Sequence, residues 1–142
     1  MTLEPMTITS PHKKYESDGQ FIFSCQYHVI FCPKYRRKVL INGIDIRLKS
    51  LIEEKQQEYG YEVHDIEVME DHVHLLLSVN PKVGVYTVVS KIKGYTSRTL
   101  RKEFPEIDKK IPTLWTRSRF ISSVGAVTLD VVKKYIQNQK NV

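Results

Sequence analysis

The chain has 142 residues, and its 22 Lys and Arg against 16 Asp and Glu leave a formal charge of +6 and a pI near 9.3. That balance suits a polyanionic partner better than an acidic protein or a neutral metabolite, although charge alone fits a merely soluble basic protein equally well. The length is that of one domain, no apolar run approaches the roughly 20 residues of a membrane span, the N-terminus lacks the order of a signal peptide, and Cys25 and Cys32 in one predicted strand indicate neither a disulfide scaffold nor a thiolate zinc site. The cytoplasm is the expected location.

Residues 1–19, with Pro5, Pro11, Gly19 and "HKKYESDG", read as an irregular leader, and residues 20–142 as the domain. "FIFSCQYHVIFC" from Phe21 to Cys32 is rich in aromatic and β-branched residues, and alternation sends Phe21, Phe23, Tyr27, Val29 and Phe31 to one face of a strand. Ile44, Leu48, Leu51, Ile52 and Tyr59 recur at helical spacing until Gly60 stops the run. "YEVHDIEVM" from Tyr61 and "HVHLLLSV" from His72 are two strands of a hairpin turning at Glu70 and Asp71. A second helix follows Pro81, its inner stripe Val85, Val88, Val89, Ile92, Thr96 and Leu100, and Pro105 lies beyond its end. A loop through Lys109, Lys110 and Pro112 leads to a fourth strand in "LWTRSRFISS" from Leu114. "TLDVVKKYIQNQ" then forms a closing helix with Thr128 as N-cap and Asp130 in its first turn.

The first six elements give β-α-β-β-α-β, the ferredoxin-like (RRM-like) α+β pattern: a four-stranded antiparallel sheet with two helices on one face, here followed by a C-terminal helix. The other face of the sheet is expected to be open.

"DHVHLLLSV" places two histidines one residue apart on that open face. Side chains at i and i+2 of a strand share a face with about 7 Å between their backbone positions, so His72 and His74 can converge on one ion, while Val73, Leu75, Leu77 and Val79 line the layer beneath the helices. Two imidazoles leave a metal site incomplete, and a third ligand has to come from elsewhere. A bare H-x-H suits equally one histidine bonded locally and one facing solvent.

The last helix has the stripe Val132, Tyr135, Ile136, Gln139, so a phenol and a carboxamide stand where a docking helix carries Leu or Ile. A tyrosine hydroxyl beside a divalent cation can lose its proton and attack phosphorus, and the Gln139 carbonyl could complete the coordination. Taken alone, Tyr135 fits a partly buried core tyrosine as well.

With these motifs in order, the chain resembles the single-tyrosine, HUH-type transposases of small insertion sequences that move as single-stranded DNA. The resemblance is carried by "DHVHLLLSV", "YHVIFCPKYRRKVL", "KGYTSRTLRKEFP", "LWTRSRF" and "YIQNQ", and spans residues 20–142 without departure at the catalytic positions. It implies a metal-dependent strand transferase in which Tyr135 attacks a phosphodiester and keeps the 5′ end as a phosphotyrosine. It further implies His72, His74 and Gln139 as ligands of Mg2+ or Mn2+, of which the mixed N and O donors favour Mn2+. Homodimers, hairpin-ended single-stranded DNA as partner, and a tyrosine helix serving its own or the partner's site follow from the same resemblance, with Gly125 as a candidate hinge.

Three basic clusters are candidate DNA contacts: Lys34, Arg36 and Arg37 around Tyr35; Lys91, Lys93 and Arg98 on the second helix; and Arg117 and Arg119, alternating on the fourth strand beside Trp115. Two other readings stay open here: a repeat-associated tyrosine transposase acting on genomic palindromes, and a non-catalytic nucleic-acid-binding module of RRM-like fold.

Overall fold

A computed structural model describes residues 16–17, 22–23, 25–124 and 129–142. The elements in chain order are β1 (Glu16–Ser17), β2 (Ile22–Phe23), β3 (Gln26–Phe31), α1 (Ile44–Glu54), α2 (Gln56–Tyr59), β4 (Tyr61–Met69), β5 (His72–Val79), α3 (Val85–Glu103), α4 (Glu106–Lys110), β6 (Phe120–Ser123) and α5 (Leu129–Gln137). β3 to β6 form one antiparallel sheet in the order β4-β5-β3-β6, the ferredoxin-like arrangement expected from the element pattern. The leader departs from its irregular reading at one place, because Glu16 and Ser17 pair with Phe23 and Ile22 in a two-stranded ribbon. Phe21, Gly125 and Thr128 lie outside the described residues.

Alternation sorts the two faces of the sheet. Val29 and Phe31 of β3 and Val73, Leu75, Leu77 and Val79 of β5 pack beneath α1 and α3, whose Leu48, Leu51, Ile52, Val88, Val89, Ile92 and Leu100 complete the main core. Val85, read as part of that stripe, is half-buried at its rim. The first predicted helix is two: Lys55 breaks it, and the Gln56 side chain accepts from Val63 N at 2.7 Å, next to the bulge between Val63 and Asp65. Gly60 ends α2 at φ +81, where a Cβ would meet the Val83 Cγ2 methyl at 3.0 Å. That backbone region favours a residue without Cβ.

The opposite face of the sheet is not open. α5 lies across it, burying Val132 and Ile136 against Ile30, with Phe120 and Tyr135 packed at the side. Every residue of β5 is therefore buried, the polar ones included. The fourth strand is shorter than expected. Residues 114–119 are irregular, held by a Pro33–Trp115 bridge and by Lys34 N–H to Leu114 O at 2.8 Å, so Arg117 and Arg119 precede β6 instead of alternating on it. Lys109 and Lys110, read as loop, are instead the end of the short helix α4, which puts Ile107 in the core.

Candidate active site

β5 enters the face beneath α5 with two imidazoles. His72 and His74 are each 1% exposed. His72 donates from Nδ1 to Asp71 Oδ1 at 2.8 Å, which fixes its proton on Nδ1 and leaves a lone pair on Nε2. His74 shares a contact of 3.1 Å between its Nε2 and Nδ1 of His28, and the two rings stack with centroids 5.3 Å apart. Burial first, then repulsion from His28, pulls His74 down to about 4, and burial lowers His28 as well. Both rings are thus neutral near pH 7, the state in which imidazole can ligate a cation.

Asp71 is the anchor of this corner. Burial raises its pKa, but hydrogen bonds from His72 and Arg36 and the Arg36 charge outweigh that effect and hold the carboxyl below its ordinary value. Arg36 Nε reaches Asp71 Oδ2 at 2.7 Å with both side chains almost wholly buried. The backbone is bent to allow it: Tyr35 and Arg36 sit at φ 59 and 52, in the left-handed region that non-glycine residues adopt only at a cost on the order of 1 kcal/mol each. The turn sends Tyr35 outward, 45% exposed, and Arg36 inward. Arg36 also reaches the Ile136 carbonyl at 3.5 Å, which ties Asp71 and His72 to the C-terminal end of α5. Arg36 is therefore an internal ion-pair residue, and its reading as a DNA contact is corrected.

One turn beyond Ile136 comes Gln139. It lies past the helix, in a turn closed by Gln139 N–H to Ile136 O at 3.2 Å, and is buried. Its Nε2 donates to Tyr135 O at 3.4 Å, while among the described residues Oε1 has no hydrogen-bond partner. The same is true of His72 Nε2 and His74 Nδ1. Among the described residues no group of three or more His, Cys, Asp or Glu could hold a metal ion, so a cation here would need a donor of another kind, and the Gln139 carboxamide oxygen is one. Three buried atoms with lone pairs and nothing to bind are what a divalent cation would satisfy.

Tyr135 stands over Phe120, ring centroids 5.3 Å apart, and its hydroxyl meets Ser118 Oγ at 2.8 Å. Burial pushes the phenol up to about 12, against a smaller opposing effect of the Ser118 hydrogen bond.

The remaining basic candidates divide sharply. Lys93 turns inward and donates to Thr116 O at 2.6 Å and Ser118 O at 3.2 Å, which corrects its reading as a DNA contact. Arg37, Lys91, Arg98 and Arg117 are exposed, and Lys34 lies 5.1 Å over the Tyr35 ring. Arg119 is half-buried, 4.9 Å over the Tyr86 ring and bonded to Ser90 Oγ at 2.6 Å. Tyr86, Ser90, Lys91 and Arg98 line a surface cavity of about 370 Å³ with Tyr59, Thr87 and Gly94.

His28, Asp71 and Ser118 were missed by sequence reasoning. Two signals were there: the alternation that sends Val29 inward sends His28 to the histidine face, and Asp71 directly precedes His72. Ser118 had no such signal.

A ferredoxin-like sheet carrying a buried histidine pair under a tyrosine helix defines the class, and the chain belongs to the family described as transposase IS200 like, whose model matches residues 21–139. It is a transposase by that membership. The chain is similar to the ISDra2 transposase TnpA of Deinococcus radiodurans, 35% identical over 121 residues that cover 84% of this chain and 86% of the relative. A crystal structure of a protein from Deinococcus radiodurans superposes with a TM-score of 0.80 at 30% identity, covering 89% of this chain and 99% of that one. A REP-associated tyrosine transposase bound to a REP hairpin shares the fold alone, at TM-score 0.53 and 10% identity over 91% of this chain and 68% of that one. No helix among the described residues is long and apolar enough to cross a membrane.

Proposed function

We propose that this transposase cleaves and rejoins single-stranded DNA at hairpin-marked ends, with Tyr135 as nucleophile and a divalent metal held by His72, His74 and Gln139. The observation that carries the reading is that His72 Nε2, His74 Nδ1 and Gln139 Oε1 are among the buried polar atoms left without a hydrogen-bond partner by the described residues. A buried polar atom without a partner costs about 1–3 kcal/mol, and three such atoms on the very residues singled out by the sequence argue for a bound cation. Magnesium or manganese there would polarise a phosphate and stabilise the charge that develops on it.

The chain's own residues do the rest. Tyr135 is protonated near neutral pH, so its proton must leave to solvent as its oxygen bonds to phosphorus, while Ser118 Oγ holds the hydroxyl in place. The phosphorus–oxygen bond to the 3′ carbon's oxygen breaks, that oxygen takes a proton, and the 5′ end stays on Tyr135. Attack by a 3′ hydroxyl reverses the exchange and frees the tyrosine. One phosphodiester is traded for another, so no external energy source enters. Lys34, Tyr35, Arg37, Lys91, Arg98, Arg117 and Arg119 remain candidate contacts to the strand. The family resemblance implies a homodimer and a hairpin in the DNA, and the cytoplasm is the proposed site of action.

The test is incubation of the protein with Mn2+ and hairpin DNA bearing single-stranded tails, followed by denaturing electrophoresis. A covalent protein–DNA adduct is expected, lost on chelation and in Tyr135→Phe while that variant binds DNA within a few-fold of the wild type. An adduct that survives Tyr135→Phe, or tight binding with no adduct across a hairpin library, refutes the reading.

A further inference from the structure

We propose that Lys93 and Ser118 are positioning residues for Tyr135: a buried ammonium on α3 fixes the segment 116–118, whose serine hydroxyl holds the phenol in place. The inference rests on Tyr135 being the nucleophile. Lys93 belongs to the inner face of α3, and its Nζ reaches three consecutive carbonyls, those of Thr116 at 2.6 Å, Arg117 at 3.5 Å and Ser118 at 3.2 Å. Three consecutive carbonyls turned to one point need a donor with several hydrogens, and an ammonium has three.

The segment is tied down from the other side as well. Thr116 N–H donates to Cys32 O at 3.0 Å, and Trp115 Nε1 donates to Thr96 Oγ1 at 3.0 Å, next to Lys93 on α3. Ser118 thus leaves a stretch with no regular secondary structure yet anchored on β3's end and on α3 at once. Its Oγ meets the Tyr135 hydroxyl at 2.8 Å, and beyond it Arg119 is bonded to Ser90, one turn before Lys93. The packing of Val132 and Ile136 and the ring of Phe120 fix the phenol ring, but these apolar contacts give its hydroxyl no hydrogen-bond partner. The Lys93–Ser118 link supplies the missing constraint, and misplacing a reacting atom by about 1 Å can cost on the order of 100-fold in rate.

The test uses the full chain labelled with 3-fluorotyrosine, the Tyr135 fluorine resonance being the one lost in Tyr135→Phe, beside single-turnover adduct formation on hairpin DNA with Mn2+. Lys93→Met and Ser118→Ala are each expected to move and broaden that resonance, to leave DNA affinity within about twofold, and to slow adduct formation about 10- to 100-fold. Because Lys93 acts through Ser118, the double variant is expected to be no slower than Ser118→Ala, and Ser118→Thr, which keeps a hydroxyl, is expected to recover most of the rate. An unmoved Tyr135 resonance in Lys93→Met, or a double variant slowed by the product of the two single effects, overturns the inference. Should Lys93→Met fail to fold, equal rates for Ser118→Ala and Ser118→Thr overturn it instead. A wild type that forms no adduct, or a Tyr135→Phe that still does, refutes the nucleophile reading, and the resonance alone then decides whether Lys93 orders Tyr135.

Discussion

Asp71 touches two cationic or potentially cationic groups at once, and its substitution separates two roles. Its Oδ1 orients His72 and its Oδ2 neutralises Arg36 in a site closed to water. Asp71→Asn keeps the shape but removes the charge. Breaking a buried ion pair by neutralising one member costs about 3–5 kcal/mol, and weakening the partner of a ligating histidine typically costs 10- to 100-fold in metal affinity. Chemical denaturation should show the first, and titration calorimetry with Mn2+ on the folded variant the second. Unchanged Mn2+ affinity would remove His72 from the ligand set. Lys93 makes a second prediction at this scale. Burial, then repulsion from Arg119, lowers its pKa to about 8, against a smaller raising effect of Cys32. Since the folded value lies below the unfolded one, the unfolded chain binds more protons between about pH 8 and 10.5, and stability from this group rises as pH rises through that window. Denaturation at about pH 8 and about pH 10 should therefore show the wild type gaining on the order of 2 kcal/mol relative to Lys93→Met. The raised Tyr135 pulls stability the other way in both proteins and cancels in the comparison.

At the scale of elements, α5 rests on a small apolar cluster of its own. Its anchors are Val132 and Ile136 on Ile30, a cluster separate from the main core. Elements with few buried apolar contacts open at lower free energy than the core does. Ile136→Ala is expected to speed amide exchange throughout α5, with little change in β3 and β5, and to slow adduct formation as Tyr135 and Gln139 lose their place. Equal acceleration in β5 would show that α5 and the sheet unfold as one. The strands and principal helices were legible because period two and period 3.6 decide which face a residue joins. What alternation could not reveal is that α5 closes the second face, since the same pattern suits an open sheet. The fourth strand was overextended for a related reason: "LWTRSR" alternates in sequence, but Leu114, Trp115 and Thr116 are all buried, fixed by Cys32, Lys34 and Thr96 from elsewhere in the chain. His72, His74, Tyr135 and Gln139 could be picked out because their residue types are unusual for their faces. Arg36 and Lys93 could not, because a basic residue in an unaligned sequence looks solvated until its buried partner is known.

For the whole molecule, the distinction between buried and exposed cations governs how the +6 charge acts on DNA. Each phosphate neutralised by an exposed Lys or Arg releases condensed counterions, so log affinity falls with log salt by about 0.7 per contact on a single strand and about 0.9 on duplex DNA. Arg36 and Lys93 have their hydrogen-bonding capacity engaged inside the protein and can release none. Arg98, exposed beside the Tyr59 and Tyr86 cavity, and Arg37, exposed next to Tyr35, can. Arg98→Ala and Arg37→Ala are each expected to weaken binding to a hairpin with single-stranded tails and to reduce the salt slope by about one contact, whereas Lys93→Met leaves the slope intact. The measurement is fluorescence anisotropy across a salt series for wild type and the three variants. A slope reduced by Lys93→Met would return that lysine to the DNA surface. A slope unaltered by either arginine would place the strand on some other part of the molecule and break the link between the net charge and these clusters.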